Sequence, residues 1–485
     1  MRVVMIAAEA APYAKVGGLA DVLGALPPQL AKLGISVSII IPRYRVIDLR
    51  RFDFEPYPVP DNLNFDIHSA TIPNSSVRVF LIGNDHYFDR DGIYLDSTTG
   101  LDYSDQADRW IFFQRAALEF IRAELSPVDI VHCHDYQAGL IPGYLRRLDS
   151  SHKEFSQTKT VFTIHNMGYQ GLFPREVMTR TGFDDTEFQP MSPFEFFGQI
   201  NFLKIGVSFA DLVTTVSPTY AREIQEDDAM SFGLGGVLRS RPQPVLGILN
   251  GIDYEVWNPE TDSLIPANFN RRWYGGLVDK DSNKLALLQA FGLDESRMRK
   301  PLLSMLSRID VQKGFDLVVP LLDELLGLDI SFILLGMGNR EVESRLTEIV
   351  GRHRDRAGIR LGYDDKLSHL IVAGSDIFLM PSRYEPCGLT QMYSMRYGTV
   401  PVVRATGGLA DTVQEFDLRS GNGTGFRFAN YDRSEFREAI DRALQVWSDK
   451  VVWKAIIKNG MSSDFSWTRS AQRYVAAYTK LLGPI

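Results

Sequence analysis

Short apolar runs rich in β-branched residues recur along the chain at positions 3–7, 37–41, 77–82, 129–133, 160–164, 212–216, 245–249, 302–306, 330–335, 376–380 and 399–403. Runs of this length without polar alternation predict strands covered on both faces. Segments with helical spacing lie between them, among them 107–125, 314–326 and 389–397. Strand and helix in alternation build parallel sheets flanked by helices, so the predicted class is α/β. Eleven runs exceed one ordinary doubly wound sheet. The segment 247–259, GILNGIDYEVWNP, followed by a polar loop to about 281, reads as the connection between two halves. The predicted organisation is an N-terminal domain over 1–249, a C-terminal domain over 250–465 and an amphipathic end segment, 466–485, that packs back across the hinge. The pentapeptide GGLAD occurs at 17–21 and again at 407–411, each time after a strand and before a helical pattern. Matched positions in two related halves explain this better than chance.

With 485 residues, 45% of them hydrophobic and 23% charged, the composition excludes disordered, collagen-like and coiled-coil chains. A net charge of −8 gives no global attraction to nucleic acid or to an anionic membrane, so any basic site must be local. Two distant cysteines, Cys133 and Cys387, make neither a disulfide framework nor a metal knuckle, and a reducing compartment is the default. Glu9 interrupts the apolar start, and nothing later approaches the ~20 apolar residues of a spanning helix. A cytosolic or stromal protein is expected.

Four clusters could carry chemistry. Lys15, Gly17, Gly18 and Asp21 open a helix after the first strand, where paired glycines bring peptide N–H groups to an anion at a helix start. The cluster is neither a Walker loop nor a GxGxxG fingerprint, and a plain turn and cap is the competing reading. Arg308 and Lys313 follow the strand at 302–306, where open α/β sheets bind ligands; alone, two basic loop residues are usually just solvated. Glu385 stands beside Pro386, with Cys387, Gly388, Leu389 and Thr390 leading into a helix whose free N–H groups suit an anion. The plain alternative makes Glu385 a cap or a partner of Arg383. His132, His134, Asp135, His165 and Asn166 gather at two strand ends. No CxxC or HExxH partner supports a metal at His132 and His134, and Asp135, His165 and Asn166 suit recognition of sugar hydroxyls. The isolated Gly336-Met337-Gly338 reads as a tight turn.

Read together, KVGGLADV at 15–22, HCHD at 132–135, TIHNMGYQG at 163–171, NGID at 250–253, SRIDVQKGFDL at 307–317 and PSRYEPCGLTQMYSMRYGTVPVVRATGGLADTV at 381–413 resemble the bacterial glycogen synthases and plant starch synthases. The match runs in order to the FSWTRSAQRYVAAY tail at 465–478. It implies a GT-B architecture: two Rossmann-like domains facing a deep cleft, with a C-terminal helix returning to the N-terminal domain. It implies retaining transfer of glucose from ADP-glucose to the non-reducing 4-hydroxyl of an α-1,4-glucan, without metal or other cofactor.

Carried over by position, the resemblance places Lys15 and the Gly17–Gly18 turn, with Asp21 in the same loop, against the donor phosphates. Arg308 and Lys313 hold the diphosphate, Glu385 the glucose hydroxyls, and the backbone of Cys387, Gly388 and Leu389 with Thr390 the phosphates. His165 bonds the glucose 6-hydroxyl, Asp135, Asn166 and Asn250 complete the sugar pocket, and Tyr363 stacks on adenine. Tyr136 stands where many relatives have Trp, and Val16 where bacterial forms commonly have Thr; neither change removes a proposed catalytic group. A related sucrose- or trehalose-type synthase, a phosphorylase and a silent glucan-binding protein are the rival readings. A glycogen or starch product and the choice of ADP- over UDP-glucose stay open on sequence.

Overall fold

The computed structural model describes residues 1–60, 63–148, 152–270 and 278–483. The chain forms two compact units, Met1–Gly251 joined by Trp467–Ile485, and Ile252–Ser466. Asn250, assigned by its sequence position to the second half, therefore lies in the first unit, one residue before its boundary. The polar stretch expected to lead to about residue 281 lies in part outside the described residues.

In the first unit the strands are β1 (Arg2–Ile6), β2 (Ser36–Pro42), β3 (Glu55–Tyr57), β4 (Asp66–Thr71), β5 (Arg78–Gly83), β6 (Ile130–His134), β7 (Lys159–Ile164), β8 (Leu172–Pro174), β9 (Glu195–Phe196), β10 (Gln199–Asn201), β11 (Leu212–Thr215) and β12 (Leu246–Gly247). Among the described residues, nine of them form one sheet in the order β12-β11-β7-β6-β1-β2-β5-β4-β3, parallel except at β3 and β4. The strands β8, β10 and β9 make a small separate sheet. Val4, Met5 and Ile6 of β1, Ile39 and Ile40 of β2 and Ile130 and Val131 of β6 are all buried, as runs covered on both faces require.

The helix Trp467–Leu482 belongs to this unit and buries Trp467, Ser470, Ala471, Tyr474 and Tyr478, a stripe at spacings of three and four. Its Ser470 hydroxyl donates to the Leu249 carbonyl at 2.5 Å, and Tyr478 meets His132 Nδ1 at 2.8 Å. The expected long helix 107–125 is an α-helix over Gln106–Phe120, continued by one wider π turn to Leu125.

The second unit carries β13 (Leu302–Leu306), β14 (Ser331–Gly336), β15 (Ala357–Leu361), β16 (Ile377–Met380), β17 (Val400–Arg404) and β18 (Phe426–Phe428), all parallel in the order β15-β14-β13-β16-β17-β18. In each sheet the first strand is flanked on both sides, β1 by β2 and β6, β13 by β14 and β16. Chain order reverses there, and in open α/β sheets ligands bind at the carboxyl ends of strands beside such a point.

This topology corrects one expectation. The first GGLAD follows β1 and opens the helix Gly18–Lys32, whereas the second follows β17 and forms the helix Gly407–Thr412. The counterpart of β1 in the second sheet is β13, so the two pentapeptides do not occupy matched positions.

Candidate active site

In the first unit the chain leaves β1 and reaches Gly17, the N-cap of Gly18–Lys32. Glu9 is only 3% exposed and accepts from the Val16 and Gly17 amides at 2.6 and 3.1 Å. Burial raises the pKa of this carboxyl, and the two amides partly offset that. The Gly17 N–H assigned to an anion is thus already committed to Glu9; the turn offers an anion its Gly18 end and Lys15. Lys15 Nζ lies 2.6 Å from Asp21, half-exposed. Asp21 therefore holds the lysine, a role that its sequence position did not distinguish from ligand contact.

At the end of β6, Asp135 has φ 57° and ψ −176°, a conformation that is essentially glycine's own. The turn lets the Asp135 carboxylate accept the His165 amide at 2.7 Å, which ties the end of β6 to the end of β7. Burial, with Glu9 nearby, pushes the Asp135 carboxyl up to about 7, against the opposing pull of the His165 and Asn166 amides. Asn166 accepts from the Gly168 amide at 2.9 Å and shapes the following turn. Asn250 is buried, and its Oδ1 has no partner among the described residues. An amide oxygen buried without a donor is a group that a ligand hydroxyl can satisfy.

The three histidines lie side by side, the first two stacked. The His132 and His134 rings lie 4.2 Å apart at 30°, and His134 Nδ1 is 3.0 Å from His165 Nε2. Both nitrogens of His132 are engaged, by Tyr478 OH at 2.8 Å and Thr163 Oγ1 at 2.6 Å, which leaves neither for a metal. Among the described residues no group of three or more His, Cys, Asp or Glu is placed to hold a metal ion.

In the second unit, β13 runs into Ser307–Asp310 and a 3₁₀ turn, Val311–Lys313, capped by the Asp310 carboxylate on the Lys313 amide at 3.1 Å. Gly314 follows with φ 78°, where an added Cβ would meet the Pro381 carbonyl at 2.1 Å. This close approach joins the loop to the one after β16. Arg383 N donates to Gln312 O at 2.8 Å, and Gln312 Nε2 to Tyr384 O at 3.3 Å.

Across that seam Lys313 Nζ lies 2.6 Å from Glu385 Oε2, with the Ser382 hydroxyl on the same oxygen at 3.1 Å. Glu385 is 5% exposed. Arg308 remains more than half exposed, 3.6 Å from Asp310 and 3.3 Å from Gln312 Oε1. Cys387 is buried, and Gln391 Nε2 donates to the Cys387 and Gly388 carbonyls at 3.1 and 3.0 Å. Leu389 is the N-cap of the short helix Thr390–Arg396, and Thr390 Oγ1 lies 3.4 Å from Met380 Sδ. Tyr363, 75% exposed, stands just past β15 at the same edge of the sheet, its hydroxyl on Asp365 at 3.1 Å.

Sequence reasoning missed three supports. Glu9 was read only as a break in an apolar run. Arg404, at the end of β17, donates to the Ser382 carbonyl at 2.9 Å and to that of Arg383, fixing the loop that carries Glu385. The second GGLAD serves the same loop: the Gly408 amide donates to Glu385 O at 3.1 Å, and a Cβ at Gly407 or Gly408 would lie 1.9 or 2.0 Å from the Glu385 or Cys387 carbonyl. Its glycines were the available signal.

Residues 2–240 match the family profile described as starch synthase catalytic domain, and residues 294–459 that of glycosyl transferases group 1. The chain is 42% identical to a glycogen synthase of Thermotoga maritima and 43% identical to one of Anaeromyxobacter sp., in each case over the full length of both chains. Among solved structures, the catalytic domain of starch synthase IV from Arabidopsis thaliana, bound to ADP and acarbose, is 34% identical with a TM-score of 0.89 over 99% of both chains. A sucrose-phosphate synthase from Thermosynechococcus elongatus, 16% identical with a TM-score of 0.60 over 99% of this chain, shares the fold alone.

Proposed function

Because the chain belongs to the family of glycogen and starch synthases, with the GT-B fold, we propose that it transfers glucose from ADP-glucose to the non-reducing 4-hydroxyl of an α-1,4-glucan with retention of configuration. One observation carries this reading at the level of the site: Lys313 and Glu385 meet where the chain order of the second sheet reverses, with Arg308 on the same loop as Lys313, in a chain alike over its full length to glycogen synthases.

The residues divide the work by chemistry. Lys15 of the first unit and Arg308 and Lys313 of the second are the cations assigned to the diphosphate. Charge builds on the leaving ADP as the glycosidic bond breaks, and positioned cations stabilise it most where water is scarce. Glu385 holds glucose hydroxyls as an acceptor. Its pair with Lys313 keeps both side chains in place before the donor arrives. His165, Asp135, Asn166 and Asn250 are assigned to the sugar, the backbone of Cys387, Gly388 and Leu389 with Thr390 to the phosphates, and Tyr363 to the adenine, whose flat face suits an aromatic ring.

Retention follows by front-face attack, with a leaving phosphate oxygen taking the acceptor proton. A double displacement needs an ionised carboxylate at the anomeric carbon. Burial pushes the Asp135 carboxyl up to about 7, which disfavours its ionised form, and Glu385 is paired with Lys313; both features disfavour that route. As the family likeness implies, the reaction is assigned no metal and no other cofactor. The bacterial cytoplasm or a plastid stroma is the compartment that fits.

The test is incorporation of labelled glucose into glycogen from ADP-glucose and, separately, from UDP-glucose, with a chelator present. Strong ADP-glucose-dependent elongation is expected. Turnover restricted to UDP-glucose would overturn the donor, turnover that requires added metal would overturn the metal-free assignment, and none from either donor in a folded protein would favour a silent glucan-binding protein.

A further inference from the structure

A neutral imidazole has one N–H and one bare nitrogen, and the partner of one nitrogen fixes the other. His134 is fully buried and its Nε2 has no partner among the described residues. An orphaned buried N–H is the rarer and costlier defect, so the unpartnered Nε2 is the bare nitrogen and the proton sits on Nδ1. That Nδ1 lies 3.0 Å from His165 Nε2. His134 is then the donor, His165 Nε2 the acceptor, and the single proton of His165 is on its Nδ1.

We propose that His134 is a positioning residue that locks His165 in the Nδ1–H tautomer, so that His165 presents an N–H donor to a hydroxyl oxygen of the transferred sugar. The last step rests on the function proposed above; the tautomer does not. The stack keeps His134 from turning. Its ring lies 4.2 Å from His132, and His132 is held by Tyr478 of the C-terminal helix and by Thr163, itself 2.6 Å from Thr214. Burial keeps all three rings neutral: His132 and His165 are pushed down to about 3 and His134 well below its ordinary value. Neutrality matters because an imidazolium would carry protons on both nitrogens and erase the distinction between tautomers. The opposite tautomer would leave a bare Nδ1 on His165, which could only accept from the sugar.

Two measurements test the proposal in the full chain. Two-bond ¹H–¹⁵N correlation on protein labelled at its eight histidines, with His165 identified by its absence in His165→Asn, reads the tautomer directly. A protonated Nδ1 and a bare Nε2 between pH 6 and 8 are expected; a proton on Nε2 would overturn the proposal. The second compares His134→Phe, which keeps a ring but no donor, with His134→Asn, whose amide nitrogen stands close to the former Nδ1. With ADP-glucose, kcat/KM should fall about 10- to 100-fold in His134→Phe, as for a buried acceptor left without its donor, and His134→Asn should recover most of that loss. With an ADP-glucose analogue lacking the 6-hydroxyl, His134→Phe and the unaltered protein should differ little. Equal losses with both donors, or no difference between the two variants, would reduce His134 to packing and overturn its role toward the sugar. A protein that turns over neither donor defeats the synthase reading, and the tautomer is then decided by the correlation spectrum alone.

Discussion

The Glu385 carboxylate meets Lys313 Nζ at 2.6 Å across the seam between the loops that follow β16 and β13, with Glu385 almost wholly buried and Lys313 about four-fifths so. Two residues 72 apart in sequence, each assigned to a different part of the donor, thus hold each other in place. Glu385→Ala should lower kcat by at least about 100-fold, the scale of losing one polar contact to a transition state, with an unchanged circular dichroism spectrum. Near-normal turnover would remove Glu385 from the site.

The same pair makes a stability prediction. Lys313→Met leaves a buried carboxylate without its cation. Breaking a fully buried pair costs about 3–5 kcal/mol, and the partial exposure of Lys313 places this case at or below the low end. Adding Glu385→Gln to Lys313→Met should return part of that loss, because no lone charge is then left. Urea unfolding of the two single variants and the double variant checks this, and additive losses would argue against direct coupling.

Gly408 tests whether the second GGLAD supports the loop of Glu385. A Cβ there would lie 2.0 Å from the Cys387 carbonyl, so Gly408→Ala must push the loop and should lower kcat/KM for the donor along with stability. Gly351, inside the helix Arg340–Arg352, has nothing within 4 Å of its Cβ direction, and Gly351→Ala should be neutral or stabilising by up to about 1 kcal/mol. Equal effects of the two substitutions on kinetics would contradict the supporting role.

Asp135 gives a pH dependence with a definite sign. Its folded-state value of about 7 lies above the ordinary 3.8, so the folded chain binds the extra proton between those values. The stability this contributes is present below pH 4 and is lost as pH rises through 7. His132 and His165, pushed down to about 3, act oppositely: their contribution is present above pH 6.5 and is lost as pH falls toward 3. Asp135→Asn removes only the first dependence. The unfolding free energy of the variant relative to the unaltered protein should therefore rise between pH 4 and pH 8; a constant difference would show that Asp135 titrates normally.

Much of this architecture was legible because buried parallel strands are written as continuous apolar runs. The run at 302–306 coincides with β13, and those at 37–41, 160–164 and 376–380 differ from β2, β7 and β16 by one or two end residues. Strands β3 and β15 were not legible: EPY holds one apolar position and AGIRL carries an arginine, as strands at a sheet edge can. The clusters at Lys15, Arg308, Lys313 and Glu385 were visible as charge beside glycine at strand ends. Their pairings were not, since a single sequence carries no distances. The partnership of Lys15 with Asp21, the capture of the Gly17 amide by Glu9 and the placing of His134 against His165 each depend on how loops from separate strands meet. The repeated GGLAD misled because the pentapeptide meets two different needs, a helix start after β1 and a close backbone approach after β17.

Retaining glucosyl transfer to a glucan 4-hydroxyl can be followed directly with ADP-[1-¹³C]glucose and a malto-oligosaccharide by ¹³C NMR in the presence of a chelator. Label should pass from the donor into an α-1,4 linkage at the non-reducing end as ADP accumulates. Label appearing in a β linkage, or only in free glucose, would contradict it.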